Sequence, residues 1–144
     1  MKTINEMKLS FESKSINEGF SRVAVASFAS ALDPTLEELN DIKTAVSEAV
    51  TNAIVHGYRE KMGKIYITAS ITDKNIIRIK VRDRGVGIED IEQARQPLFT
   101  TLGGERAGLG FAVMESFTDK VRVRSAPGRG TTVTLEKKIN GKDI

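Results

Sequence analysis

The order of apolar and polar residues in the first third of the chain changes from alternation to helical spacing. Met7, Leu9 and Phe11 alternate with polar residues, which predicts an opening strand. From residue 17 to residue 32 the apolar positions recur every three or four residues, which predicts an amphipathic helix that ends before Asp33 and Pro34. The apolar positions of this helix are Phe20, Val23, Ala24, Phe28, Ala31 and Leu32.

A second helix is predicted directly after Pro34. Thr35 is followed three residues later by Glu38, which is the pattern of a capping box at a helix N-terminus. The helix is expected to end near Gly57. Its broad apolar face comprises Leu36, Leu39, Ile42, Val46, Ala49, Val50, Ala53 and Ile54.

The rest of the chain has mostly the period of a β-strand. Apolar residues alternate with polar ones at residues 65–72 and again at 77–81, on either side of a turn at 73–75. Two more alternating strands are predicted at residues 121–124 and 131–137.

Between these strand pairs lies a glycine-rich, irregular stretch from residue 83 to residue 110. It is expected to contain a short helix at residues 89–93, and a further helix follows at 109–117. The order β-α-α-β-β-(loop, α)-β-β predicts an α+β two-layer sandwich, with a mostly antiparallel mixed sheet covered on one face by helices. So long an irregular loop is typical of a functional lid.

Composition restricts the class of protein further. A chain of 144 residues is expected to form one domain, residues 1–144. The absence of cysteine excludes disulfides, thiolate metal sites and cysteine nucleophiles. Neither a signal peptide nor an apolar stretch long enough to cross a bilayer is present, so a cytoplasmic protein without a membrane partner is expected.

The charge distribution argues against a nucleic-acid partner. There are 22 Lys and Arg against 19 Asp and Glu, and the net charge is +3. The basic residues are spread along the chain, whereas nucleic-acid binders concentrate them on one surface. We therefore expect no direct contact with nucleic acid.

Three polar residues interrupt the second predicted helix at intervals of four. Glu48, Asn52 and His56 would lie along one stripe of that helix, beside small alanines. A solvated polar face is the simplest interpretation, but in a central helix the stripe suits a pocket floor. There the amide oxygen of Asn52 can ligate Mg²⁺ and the carboxylate of Glu48 can accept a proton. His56 is either a partner of the helix C-terminus or a ligand contact.

The segment "VRDRGVGI" ends a predicted strand with Asp83, followed by Gly85 and Gly87. Glycines there allow a ligand ring to approach the backbone, and the carboxylate can accept a hydrogen bond from an exocyclic amino group. An ordinary turn is the alternative.

Two later segments also contain candidate ligand contacts. In "GGERAGLGF", Gly108 and Gly110 precede a helix whose first N–H groups can hold phosphates, although no Gly-Lys-Ser/Thr follows as in a P-loop. In "GRGTT", Thr131 enters the last strand, either as part of a hairpin or with its hydroxyl facing a ligand.

The order of these motifs resembles the ATP site of the gyrase, Hsp90, histidine kinase and MutL superfamily, which has the Bergerat-type ATP-binding fold. Within it, "IKTAVSEAVTNAIVHGY", "VRDRGVGIEDIEQARQPLFTT" and "ERAGLGFAVMESF" are similar to small serine kinases that act as anti-sigma factors, most closely those of sporulation. The resemblance spans the whole chain.

The resemblance implies a role for each site residue. Asn52 would hold the Mg²⁺ on the ATP phosphates, Asp83 would accept the adenine amino group, and Glu48 would be the catalytic base. The implied ATP-binding residues are Asn52, Asp83, Gly85, Gly87, Thr100, Thr101, Gly108, Gly110 and Thr131. A lid at about residues 95–110 would close on the phosphates, and it is shorter than expected near residues 102–104.

The resemblance also implies partners. Arg22 would contact both a sigma factor, sigma F, and the anti-anti-sigma protein that carries the substrate serine, and Arg106 would lie near the nucleotide. A homodimer is expected. Three alternatives remain: a stress-response kinase of the sigma B type, a non-catalytic switch that uses ATP only to order its lid, and the ATP domain of a histidine kinase. Glu48 argues against the switch, which needs no base.

Overall fold

The computed structural model describes residues 1–59, 61–95 and 110–141. Every strand and helix predicted from the sequence is confirmed, with ends displaced by a few residues. A 3₁₀ turn, Ser30–Leu32, follows the first helix, and a π-helical turn, Ala53–Gly57, extends the second. The elements are β1 Thr3–Glu12, α1 Ile16–Ala29, α2 Leu36–Asn52, β2 Lys64–Thr72, β3 Ile76–Asp83, α3 Ile91–Ala94, α4 Phe111–Phe117, β4 Lys120–Ser125 and β5 Thr131–Lys138.

The five strands form one sheet in the order β1-β2-β3-β5-β4. All four pairings between these described strands are antiparallel. The sheet is therefore purely antiparallel, whereas a mostly antiparallel mixed sheet was expected. The reason is that β5 returns between β3 and β4. The strands β3 and β4 run parallel to each other, but they do not pair. The α+β class is confirmed.

The helical layer packs on one face of this sheet. The strands contribute alternate buried residues such as Ile67, Ile79 and Leu135, and α2 contributes Ile42, Val46 and Val50, all at most 2 % exposed. Burying each such side chain contributes about 1.5–3 kcal/mol to stability. Most of the apolar face predicted for α2 is buried, but Leu39 and Ile54 are half-buried and the first residue, Leu36, is exposed.

The buried face of α1 differs from the prediction. Phe20 and Val23 are each 58 % exposed, whereas the helix buries Ser21, Val25, Ala26 and Ala29. Three of those four residues are small, so α1 can lie close to its neighbours. The larger apolar stripe of α1 is left on the surface.

The capping box at the start of α2 is confirmed. Thr35 Oγ1 accepts the Glu38 N–H at 3.0 Å, and Glu38 Oε1 accepts the Thr35 N–H at 2.9 Å. The same carboxylate also accepts the N–H groups of Asn140 and Gly141, at 2.7 and 3.1 Å. Burial opposes ionisation of Glu38, but these hydrogen bonds outweigh it and hold its pKa below the usual 4.5.

Among the described residues, none of the helices combines the length and apolar character needed to cross a membrane.

Candidate functional site

A pocket lies between the C-terminal end of α2 and the adjoining ends of β3 and β5. It brings together residues from separate parts of the chain that the sequence had marked as candidates. Its lining residues are Ala49, Asn52, Ala53, His56, Gly57, Arg59, Val81, Asp83, Gly87, Ile88, Phe111, Thr131 and Val133. The pocket is mostly apolar and has a few convergent polar groups, as ligand sites usually are.

The helix end supplies two of the polar groups. Asn52 is 9 % exposed and closes α2, and His56 is 7 % exposed within the π-helical turn. The Tyr58 N–H donates to the Ala53 carbonyl, five residues back, at 2.9 Å, which closes this wider turn. Such turns are frequent at functional sites. His56, whose place the sequence left open, therefore lines the pocket beside Asn52.

Asp83 is the buried carboxyl group of the pocket. It is 5 % exposed, and its Oδ1 accepts the N–H of Gly85 at 2.9 Å. Burial raises its pKa from 3.8 to about 6, although backbone hydrogen bonds from Gly85 and Thr131 act in the opposite direction. A Cβ added at Gly57 would lie 2.8–2.9 Å from the carboxyl atoms, so only glycine fits there.

The glycines after Asp83 have different roles. Gly87 has φ +77°, and a Cβ there would lie 2.0 Å from the carbonyl oxygen of Ala126, so the loop requires glycine. Gly85 does not line the pocket. It packs against the backbone of Gly57, whose carbonyl a Cβ would approach to 2.0 Å. Gly85 thus lies outside the pocket and contacts Asp83 through its N–H group.

Thr131 is positioned by a residue that the sequence did not reveal. The Ser125 hydroxyl is 2.8 Å from Thr131 Oγ1, donates to the Gly130 carbonyl at 2.9 Å and accepts the Ile88 N–H at 2.7 Å. Because a serine hydroxyl has one proton, Thr131 must then donate to Ser125. Only strand register could have identified Ser125, which pairs directly with Thr131.

Glu48 lies outside this pocket, in a neighbouring groove of about 320 Å³ between α1 and α2. A Cβ added at Gly110, the left-handed N-cap of α4, would lie 2.1 Å from Glu48 Oε2. The carboxylate is therefore in close contact with the start of α4. It lies one helical turn before Asn52, so α2 separates the groove from the pocket by a single turn.

Arg22 lines the same groove as Glu48. Its Nη1 is 2.7 Å from Glu18 Oε2, which also accepts the Ser47 hydroxyl at 2.8 Å. The residue expected to contact partners and the expected base thus belong to one surface. The remaining predicted positions, Thr100, Thr101, Arg106 and Gly108, lie outside the described residues, as does the shortened part of the lid.

Comparisons with known proteins identify the family of the chain. Residues 15–137 match the family described as Histidine kinase-like ATPase domain. Anti-sigma F factors from Caldanaerobacter subterraneus subsp. tengcongensis and Bacillus subtilis are 60 % and 54 % identical, each over 94 % of both chains. One from a Thermoanaerobacter species is 59 % identical over 96 % of this chain and 97 % of its own.

The chain belongs to the anti-sigma F factor family. This confirms the resemblance found in the sequence, and the family's ATPase domain implies that the chain binds ATP.

Solved structures that the fold resembles share less sequence. The RsbU and RsbW domains of a Mycobacterium tuberculosis protein superpose with a TM-score of 0.70 at 22 % identity, over 94 % of this chain and 32 % of that one. The histidine kinase domain of a blue-light activated kinase from Erythrobacter litoralis gives 0.58 at 20 % identity, over 85 % and 61 %. Both confirm the fold of this anti-sigma F factor family member.

The lining residues of the pocket include the kinds of polar group that bind a nucleotide. Asp83 offers a buried carboxyl acceptor at the pocket wall. Gly57 and Gly87 allow the surrounding chain to pack closely, because a Cβ would clash with the Asp83 carboxyl group at Gly57 and with the Ala126 carbonyl at Gly87. Asn52 offers an amide oxygen at the end of α2, and such an oxygen can ligate Mg²⁺.

Proposed function

We propose that this protein is an ATP-dependent protein-serine kinase that inhibits the sporulation sigma factor sigma F and phosphorylates its anti-anti-sigma factor. One observation carries the proposal: a single turn of α2 separates Asn52, in the pocket with Asp83, from Glu48, in the groove with Arg22. A nucleotide and a protein substrate can therefore meet across one helix. The name of the relatives, anti-sigma F factor, supports the partner.

In this proposal the pocket holds and orients the nucleotide. The Asp83 carboxylate accepts a hydrogen bond from the adenine amino group, with the Thr131 hydroxyl beside it, and Asn52 holds Mg²⁺ through its amide oxygen. ATP with Mg²⁺ supplies the phosphoryl group and neutralises its charge. Thr100, Thr101, Gly108 and Gly110 remain predicted contacts to the phosphates.

Glu48 takes the proton in the transfer step. The oxygen of the substrate serine forms a bond to the γ-phosphorus while the bond from that phosphorus to the β–γ bridging oxygen breaks, and ADP leaves with the electron pair. The serine proton passes to the Glu48 carboxylate. Phosphoryl transfer depends mainly on positioning and charge neutralisation, so few side chains are needed.

The groove between α1 and α2 is the proposed protein contact. Arg22 and Lys43 line it together with Glu48, and Arg22 Nη1 forms an ion pair with Glu18 Oε2 at 2.7 Å. We assign to Arg22 the contact with the sigma factor and with the anti-anti-sigma protein, and to Arg106 a place near the nucleotide. The proposed active form is a cytoplasmic homodimer.

Transfer of γ-labelled phosphate from ATP to the anti-anti-sigma protein tests this proposal. Glu48→Gln should retain ATP and sigma-factor binding but lose transfer by about 10²–10⁴-fold, and Asp83→Asn should lose ATP binding itself. Glu37→Gln, an exposed residue of the same helix, is the matched control and should transfer at the wild-type rate.

Two results would contradict the assignment. Wild-type transfer by Glu48→Gln would remove Glu48 as the base. Absence of transfer to any candidate partner by the wild-type protein, with ATP and sigma-factor binding intact, would favour the non-catalytic switch.

A further inference from the structure

The described structure has a wide concavity other than the proposed nucleotide pocket. It has a volume of about 830 Å³ and lies over strands of the sheet. Five basic residues line it, Lys8, Lys80, Arg82, Arg124 and Arg129, and all five are exposed. We call this surface the cationic sheet face. None of the described lining residues has a carboxylate, and the Glu6 carboxylate lies at its border, 4.0 Å from Lys8 Nζ.

Strand pairing explains why these charges gather. Thr68 of β2 pairs with Lys8 of β1 on one side and with Lys80 of β3 on the other. Neighbouring strands lie about 4.8 Å apart, so the two lysines are about 10 Å apart across the sheet. Arg82 of β3 and Arg124 of β4 likewise pair with Thr132 from opposite sides. Residues distant in the sequence thus form two parallel rows.

The neutral residues of the face indicate what binds there. Hydroxyl groups of Ser10, Thr68 and Thr132 lie among the cations, and the ring of Tyr66 lies in the same concavity. The Arg84 guanidinium is 5.0 Å from the centre of that ring. Cations, hydroxyls and an aromatic ring are the groups that contact phosphates and bases.

A protein partner fits this surface less well. Protein interfaces usually have an apolar or aromatic centre and contain few lysines, whereas nucleic-acid interfaces are polar and positively charged. A second copy of the chain would place cations against cations. A sheet face with an aromatic ring also suits a single strand, since reading a duplex groove requires a protruding helix or ribbon.

We propose that the cationic sheet face binds the phosphate backbone of single-stranded nucleic acid, with little sequence preference. This departs from the expectation drawn from the dispersed charge of the sequence. The alternation of each strand directs its basic residues to one side, and the sheet then collects them.

Fluorescence anisotropy of a labelled ~20-nucleotide oligothymidylate tests the proposal. We expect about three phosphate contacts. A plot of the logarithm of the association constant against the logarithm of the salt concentration should then have a slope of about −2 between about 50 and about 200 mM salt. Lys8→Ala with Lys80→Ala should weaken binding about tenfold at the lower salt concentration and make the slope shallower by about 1.4. Lys14→Ala with Lys74→Ala, an equal change of charge away from the face, should change affinity less than about twofold. The ATP-induced rise in melting temperature should persist in both double variants and show that they are folded.

Four results would overturn the proposal. The first is absence of binding by the wild-type protein at the lower salt concentration, and the second is an equal loss of affinity in the control pair. The third is displacement of the oligonucleotide by polyglutamate of equal total charge, which would indicate that the face binds an acidic protein surface. The fourth is a change of sedimentation coefficient from dimer to monomer in the Lys8 and Lys80 variant alone, which would indicate an interface between copies.

Discussion

Gly87 and Gly128 adopt the same left-handed backbone, φ +77°, in two loops that are joined by a hydrogen bond from the Gly128 N–H to the Val86 carbonyl. A Cβ at Gly87 would lie 2.0 Å from Ala126 O, whereas one at Gly128 would meet nothing within 4 Å. Alanine substitutions at these two glycines therefore distinguish the energetic cost of the left-handed backbone from the energetic cost of a steric clash.

We expect Gly128→Ala to lower the free energy of unfolding by about 1–2 kcal/mol, because it meets only the left-handed backbone. Gly87→Ala should lower it further and abolish ATP binding, because the loop that lines the pocket must move. Urea denaturation and titration with a non-hydrolysable ATP analogue measure both effects. Equal losses in the two variants would contradict the role of Gly87.

The ionisation of Asp83 makes the stability of the protein depend on pH. Its pKa rises from 3.8 to about 6 on folding because the carboxyl is buried, so between these values the folded state binds more protons than the unfolded state. The stabilising contribution of the protonated carboxyl is therefore present below pH 3.8 and is lost as the pH rises through about 6. The ionised form, which is proposed to accept the adenine amino group, is favoured only above that pH.

The ligand-free protein should accordingly lose about 3 kcal/mol of unfolding free energy, as an order of magnitude, from this group between about pH 4 and about pH 7. Asp83→Asn removes the titration, so the difference in stability between variant and wild type should change with pH by that amount. Denaturation at a series of pH values measures it. A difference that does not vary with pH would show that Asp83 has an ordinary pKa.

Single residues of the site were predictable to different degrees. Asp83, Gly87 and Asn52 follow from short motifs, because each belongs to a local pattern of strand, turn or helix. Ser125 does not, since its contact with Thr131 depends on strand pairing. The pocket position of His56 depends on a π-helical turn that no sequence pattern indicated.

At the scale of elements, the N-terminus of α2 is held by more than its capping box. Thr35→Ala should cost about 1 kcal/mol of unfolding free energy, because it removes one cap hydrogen bond. Glu38→Ala should cost more, because the carboxylate also binds the backbone N–H groups of Asn140 and Gly141. Urea denaturation compares both with Glu37→Ala, which has an exposed carboxylate in the same first turn. A Glu38→Ala loss no larger than that control would contradict the role of the C-terminal contact.

The first helix shows where prediction of elements was incomplete. Periodicity placed a helix correctly but assigned Phe20 and Val23 to its buried side. Helical spacing identifies apolar stripes without showing which one faces the sheet. In the structure α1 instead buries the small residues Ala26 and Ala29, because they allow close packing.

At the scale of the whole molecule, the exposed stripe of α1 relates to the proposed homodimer. Ile16, Phe20 and Val23 are 80, 58 and 58 % exposed at helical spacing, and the Phe20 ring contacts Phe11 of the edge strand β1 with centroids 6.4 Å apart. Contiguous exposed apolar residues often mark an interface.

We expect Ile16→Asp with Val23→Asp to convert the homodimer to monomer, with a lowered sedimentation coefficient. Leu36→Asp, at an equally exposed apolar residue of α2, is the control and should sediment as the wild type does. Dimers of unchanged stability in the α1 variant would exclude this stripe as the interface.

The sequence by itself determined the type and order of the elements, the capping box and the motifs of the site. These depend on residues within a few positions of one another, so alternation, helical spacing and glycine placement are sufficient to predict them. The tertiary structure decided which strands are neighbours and which faces are buried. Because β5 lies between β3 and β4, Asp83 and Ser125 both pair with Thr131. The alignment of the strands also brings basic residues that are dispersed in the sequence onto one face. Such contacts join distant segments, and they form only when the whole sheet and its helical layer pack together.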